Sequence, residues 1–335
     1  MLRLGIIGAG GIASLHTHNI LSGKCPEVQL TAMADRKESR REWIRATVPD
    51  AAVFCEGSDL IASDTCDAVL IATPHYQHPT LAIEAFRHGK HVLCEKPAGV
   101  YTLQVRDMIA EADKHPELTF GMMFNQRTNG LFGEARRLVR SGELGTNCVY
   151  RKAKALIDSG ALGEIKRMIW VVTDWYRTQS YYDAGAWRAT WEGEGGGVLL
   201  NQCPHQLDLL QWLCGLPVRV RAACHEGKWH DIEVEDDVTA YLEFANGATG
   251  TFIASTGDAL GENRLEIIGT RARIRIENDQ LTLDTLSVDE RDWCPVCKEP
   301  FGVPDIQHEI VQTDGENPQH AGVLNAFAAH ILHGT

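Results

Sequence analysis

Two side chains in this sequence are of types that can move a proton. Lys96 stands in Glu95-Lys96-Pro97, directly after the short apolar run His91–Cys94. His205 follows three consecutive glycines, Gly195–Gly197, within the stretch Glu194–Gly215. An alcohol carbon gives up a hydride cleanly only if a base takes the hydroxyl proton, and the reverse reaction needs an acid at the same oxygen. A lysine serves as that base when burial and a nearby positive charge lower its pKa. The residue type alone also allows a lesser role, in which Lys96 does no more than pair with Glu95 or with a phosphate.

The elements needed to position Lys96 can be read from the first residue onward. Arg3–Ile7 alternates and then runs apolar, as a buried parallel strand does, and Gly8-Ala9-Gly10-Gly11-Ile12-Ala13 leads into a helical stretch through Leu21. This is G-x-G-x-x-A between a strand and a helix. Gly8 permits the tight turn, Gly10 lets a pyrophosphate approach the backbone, and Ala13 lets the helix pack close. The helix start, at Gly11 and Ile12, then offers unpaired N–H groups to phosphate. Val28–Ala34 reads as a second strand ending in Asp35-Arg36. A carboxylate there accepts hydrogen bonds from the adenine ribose and repels a 2′-phosphate, which favours NAD; the neighbouring Arg36 keeps NADP open.

A third strand, Asp67–Ala72, ends in Thr73-Pro74-His75, with His78 just beyond, and a helix spans Pro79–His88. The fourth strand is His91–Cys94. Strands alternating with helices predict an α/β, doubly wound parallel sheet, in which ligands sit beyond the carboxyl ends of the strands. The cofactor-facing candidates are therefore Gly8, Gly10, Gly11, Ile12, Asp35, Arg36, Thr73, Pro74, His75, His78, Glu95 and Lys96. Oxidised nicotinamide is a positive charge of the kind Lys96 needs.

With GIIGAGGIA, ADR, IATPHYQH and CEKP in place, the chain resembles the glucose–fructose oxidoreductase/inositol dehydrogenase (Gfo/Idh/MocA) family over nearly its whole length, most specifically at Glu95-Lys96-Pro97. The resemblance implies an N-terminal Rossmann domain, residues 1–123, and a C-terminal α+β domain with an open, mostly antiparallel sheet, residues 124–335, for substrate binding and dimerisation. It implies that Lys96 contacts the reacting hydroxyl while Glu95 and Pro97 place it, and that His205 faces the substrate as an acid–base group. Asn201 occupies a position where many sugar dehydrogenases carry Asp; it can bind a hydroxyl but cannot accept a proton. Arg127 and Arg188 fall at family substrate positions, and Tyr176 is selected with them from a polar–aromatic group that includes Asn125, Gln126, Asp174, Trp175, Tyr181 and Trp187. If the helix carrying His205 extends back past Pro204, Asn201, His205 and Asp208 share one face.

Several strands of the second half are legible by alternation: Met168–Thr173, Asp237–Phe244, Thr249–Thr256, Arg264–Ile268 and Arg273–Glu277, with Asn246-Gly247 as a hairpin turn. Asn129–Gly145 and Asn147–Gly163 match at an offset of 18, which suggests a duplicated helical element. Measured against the resemblance, the chain is expected to be shortened after Ile331–Thr335.

The formal net charge of −13 argues against nucleic acid and anionic membrane partners. No apolar run is long enough to span a bilayer. Ten cysteines without a framework fit reduced thiols in a cytoplasmic protein; Cys294 and Cys297 have Cys-x-x-Cys spacing but no second pair nearby, so no metal site is expected. The sequence thus predicts an NAD(H)-dependent oxidoreductase that acts on a hydroxyl-bearing carbon of a sugar, cyclic polyol or glycoside, as a homodimer or homotetramer. Two alternatives stay open: a redox-neutral glycosidase that uses NAD transiently, and an NAD-binding regulator without turnover.

Overall fold

A computed structural model describes residues 1–125, 148–185, 187–312 and 318–334. The described chain falls into two units: residues 1–125, 192–195 and 318–334, and residues 148–185, 187–191 and 196–312.

The first unit is built on six parallel strands: β1 (Leu2–Ile7), β2 (Val28–Ala34), β3 (Ala52–Phe54), β4 (Ala68–Ile71), β5 (His91–Cys94) and β6 (Phe120–Met122), in the order β3-β2-β1-β4-β5-β6. Helices α1 (Gly11–Leu21), α2 (Glu38–Thr47), α3 (Gly57–Ala62), α4 (His78–Arg87) and α5 (Thr102–Ala112) connect them. Strands buried on both faces read as unbroken apolar runs, and β4 (AVLI) is buried at all four positions. The chain order reverses between β1 and β4, so the crevice at their carboxyl ends is the place where this topology receives a ligand.

The second unit carries α6 (Cys148–Asp158), β7 (Ile165–Val172), α7 (Gln179–Asp183), α8 (Val198–Asn201) and α9 (Pro204–Cys214). After these come β8 (Arg219–Glu226), β9 (Glu235–Glu243), β10 (Thr249–Ser255), β11 (Asn263–Gly269), β12 (Ala272–Glu277), β13 (Gln280–Leu286), α10 (Glu290–Trp293) and β14 (Ile306–Val311). Its sheet runs β14-β13-β12-β11-β7-β10-β9-β8, antiparallel except where β7 meets β10. The Asn246-Gly247 hairpin joins β9 to β10 as expected, with Gly247 at φ +84°.

Two expectations need correction. The last helix, α11 (Gln319–His333), belongs to the first unit, where Ala321, Val323, Leu324, Phe327 and Ala328 are buried with the β1 and β2 core. A division at 123/124 therefore misplaces it: its apolar face needs a partner, and that partner lies 300 residues earlier in the chain. Secondly, the helix of His205 does not extend back to Asn201. Asn201 ends α8, Gln202 and Cys203 intervene, and Pro204 opens α9. Proline suits a first helical turn, where no N–H is required of it, and it interrupts a helix arriving from before. Only His205 and Asp208 share a helix.

Gln126, Arg127 and the first copy of the repeat, 129–145, lie outside the described residues. The second copy contains α6, and Gly160 (φ +74°) and Gly163 (φ +69°) follow it.

Candidate active site

The glycine turn closes the switch point of the first sheet. Gly8 sits at φ +92°, and a Cβ there would lie 2.7 Å from the Ala72 carbonyl oxygen, so the ends of β1 and β4 can meet only at a glycine. A Cβ at Gly10 or Gly11 would meet nothing within 4 Å. Among the described residues nothing crowds the first turn of α1 and no side chain caps its leading N–H groups, which is the arrangement that takes a phosphate.

Asp35 extends β2 toward this turn. The Ala9 N–H donates to Asp35 Oδ2 at 2.8 Å, and the Lys37 N–H donates to Oδ1 at 2.8 Å. Each carboxylate oxygen has a second lone pair, so the ribose can still be bound. Arg36 is drawn away: its Nε donates to Glu56 at 2.8 Å. Beyond β4, the Thr73 hydroxyl oxygen is buried with no hydrogen-bond partner among the described residues. An orphaned hydroxyl, an open glycine cradle and a carboxylate beyond β2 lie along the carboxyl ends of β1, β2 and β4. Their chemistry fits a dinucleotide, which Gly10, Gly11 and Ile12 would hold at the pyrophosphate and Asp35 at the adenine ribose.

His78 does something the sequence did not indicate. Its Nδ1 lies 2.7 Å from the Pro97 carbonyl oxygen and its Nε2 2.8 Å from that of Thr73. Each ring nitrogen lies within hydrogen-bond distance of a carbonyl, and the neutral ring donates to one of them at a time, so this side chain sits between the segment after β4 and the segment after β5. Burial pulls the ring toward its neutral form, and the two carbonyls pull less strongly the other way. His75, also buried, has Nδ1 3.2 Å from the Glu194 carbonyl oxygen, and Pro74 precedes it on the exposed rim.

Lys96 is half-buried, and its peptide bond to Pro97 is cis. Beside it, Glu95 is 5% exposed and its Oε1 lies 2.7 Å from Nε2 of His16, which is wholly buried on α1. Burial pushes the Glu95 carboxyl up. The His16 hydrogen bond and the charges of His16, His320 and Lys96 outweigh it, and the carboxyl sits below its usual range. His320, on α11, packs edge-on against His16 with ring centroids 5.3 Å apart. Sequence reading missed both histidines, since neither stands in a motif with Glu95.

In the second unit, Gly197 precedes α8 with its amide 2.9 Å from Glu235 Oε2, and the Leu199 amide is 3.1 Å from Oε1. This buried carboxylate, also missed, caps the helix that ends in Asn201. A Cβ on Gly197 would lie 1.9 Å from the Glu235 carbonyl oxygen, so the glycine run is required by packing as well. His205 is 9% exposed on the first turn of α9, while Asn201 and Asp208 are half-buried.

The aromatic group forms a cluster around Tyr181. The guanidinium carbons of Arg177 and Arg188 lie 4.9 and 4.5 Å from its ring centroid, and Arg188 also donates to its hydroxyl at 2.6 Å. Buried Asp236 holds His230 at 2.8 Å, and His230 Nε2 reaches the Arg177 carbonyl oxygen at 3.0 Å, which fixes the loop after β7. Tyr176 is 46% exposed on that loop. Arg188 and Arg177 thus both stand against the Tyr181 ring.

Residues 2–122 match the family profile described as oxidoreductase family, NAD-binding Rossmann fold. Residues 150–275 match the Gfo/Idh/MocA C-terminal domain. The chain is 25% identical over 299 residues to the myo-inositol 2-dehydrogenase of Thermotoga maritima, covering 87% of this chain and 80% of that protein. The WlbA dehydrogenase of Bordetella pertussis, crystallised with NADH and UDP-GlcNAcA, is similar at 28% identity and a TM-score of 0.71, over 83% of this chain and 74% of that one. A Thermotoga maritima oxidoreductase shares the fold at a TM-score of 0.78 and 24% identity, over 100% of this chain and 89% of that one. With both halves matched in order, the chain belongs to the Gfo/Idh/MocA oxidoreductase family, and its first unit is an NAD-binding Rossmann domain.

Proposed function

We propose that this protein is an NAD-dependent dehydrogenase acting on a CH–OH group of a sugar or cyclic polyol. The observation that carries the reading is Lys96, half-buried at the carboxyl end of β5 beside a buried carboxylate, two strands from the glycine turn. When bound, NAD supplies the ring that accepts a hydride from the carbinol carbon. Lys96 takes the hydroxyl proton during oxidation and returns it during reduction. His205 serves as the second acid–base group, and Asn201 binds a substrate hydroxyl. Arg188, Tyr176 and Arg127 complete the substrate contacts, with the Tyr181 ring offering a flat apolar surface to a sugar. Asp35, and the engagement of Arg36 by Glu56, favour NAD over NADP. The active species is a homodimer or homotetramer.

The experiment is a screen of myo-inositol, aldoses and methyl glucosides for absorbance change at the NADH band, with NAD and NADP run in parallel. The reading expects a substrate-dependent rise with NAD. Silence from protein shown to bind NADH would overturn it, and aglycone release from a glucoside without net NADH would move the assignment to a redox-neutral glycosidase.

A further inference from the structure

The buried contact between α1 and the Glu95-Lys96-Pro97 segment does more than packing requires. Glu95 is 5% exposed and His16 is 0% exposed, and their polar atoms meet at 2.7 Å. A carboxylate withdrawn from water is costly to keep ionised unless a donor faces it, and His16 is the side-chain donor that the described residues place there. His16 Nδ1 is buried with no hydrogen-bond partner among the described residues, and the ring meets Glu95 through Nε2.

Among the described residues, the titratable groups that bear on this pair come from three further elements. They are Lys96 itself at the end of β5, His78 at the start of α4, and His320 on α11, whose ring meets the edge of His16. Asn125, after β6, donates to Gln319 at 3.2 Å and lies 3.2 Å from His320 Nδ1, which anchors that end of α11. A negative charge fixed beside an ammonium group stabilises the ammonium, and its removal lets the amine lose its proton at lower pH.

We propose that His16 is a positioning residue for the catalytic lysine: by donating to Glu95 it holds a buried anion beside Lys96 and so sets the pH at which Lys96 releases its proton. The proposal rests on reading Lys96 as the base. It gives α1 a second role, because the helix whose first turn faces the dinucleotide also controls the charge beside the lysine. Without the His16 donor, the burial that opposes ionisation of Glu95 is less well offset, and the field of its carboxylate on Lys96 weakens.

The test reads the lysine directly. Competitive labelling with acetic anhydride across the alkaline range, with mass spectrometry of the Lys96 peptide, gives its titration midpoint without any substrate. H16L and E95Q are expected to lower that midpoint by about one pH unit, the effect of one unit charge several ångströms away in a partly screened site. H16Q, whose amide can still donate to Glu95, is expected to stay near the wild type. NADH fluorescence titration establishes that each variant is folded. An unmoved midpoint in folded E95Q overturns the proposal, as does an H16Q shift as large as that of H16L. Failure of the underlying reading looks different: K96A would keep its turnover whatever the labelling shows.

Discussion

Replacing Asp35 by alanine separates two jobs that this carboxylate holds at once. Its Oδ2 accepts the Ala9 N–H at 2.8 Å and so steadies the glycine turn. Its remaining acceptor capacity is what would bind the adenine ribose in the proposed NAD site. Hydrogen bonds to a charged acceptor contribute about 1.5–3 kcal/mol each, so losing the ribose contact should weaken NADH by about 2–3 kcal/mol, or roughly 30- to 150-fold. NADPH behaves differently. A carboxylate about 5 Å from a 2′-phosphate in a largely solvated setting costs on the order of 1 kcal/mol per charge. Removing it should offset the damage to the turn and leave NADPH binding unchanged or up to about tenfold tighter. Fluorescence titration of both nucleotides against wild type and D35A measures the two numbers. If both nucleotides weaken by the same factor, Asp35 acts only through Ala9, and the argument for NAD preference falls.

Three further outcomes are expected. G8A should lower stability by about 2–4 kcal/mol in urea unfolding and weaken NADH more than tenfold, because the new Cβ meets a backbone oxygen at 2.7 Å at a positive φ. E235A should cost about 2 kcal/mol by leaving the Gly197 and Leu199 amides unpaired, and a reduced kcat should accompany it while NADH affinity is kept. Stability should also fall on acidification. Burial, with the charges of His16 and Lys96, pushes the His320 ring down to about 4 from 6.5, so the unfolded chain binds more protons between those values and the contribution, present above 6.5, is lost as pH falls toward 4. Discounted for the partial exposure of the ring, this amounts to about 1 kcal/mol between neutrality and mildly acid pH. The Glu95 carboxyl, held low, adds a loss at still lower pH. Urea midpoints at neutral and acid pH should converge in H320Q, and an unchanged pH slope would refute the assignment to His320.

Much of the first unit could be read from sequence because its signals are local. The run Gly8–Ala13 needs only its own neighbours to announce a turn into a helix, and β2 and β5 cover the residues read as strands, Val28–Ala34 and His91–Cys94. Asp35 follows β2 directly, so its place near the glycines comes from the parallel pairing of β1 with β2. What escaped depends on distant contacts. His16 and Glu95 are 79 residues apart, and His320 lies beyond two hundred more, so no spacing rule joins them. Glu235 caps α8 from 38 residues away. Pro204 was legible as a first-turn residue, and the i, i+4 relation of Asn201 to His205 depended on the helix crossing it, where a proline ends the hydrogen-bond ladder. Strands β8 and β14 are exposed along nearly their whole length and so lack the alternation that revealed β9 and β12.

The central claim is that Lys96 carries the proton in an NAD-dependent oxidation, and a comparison of K96A with wild type on one substrate from the screen tests it most directly. NADH affinity is measured alongside to show that the fold and the dinucleotide site are intact. The account predicts NADH binding within a few-fold of wild type and kcat lowered by about 10²–10⁴, the usual range for removal of a general base. A K96A protein that binds NADH and turns over at the wild-type rate would contradict it.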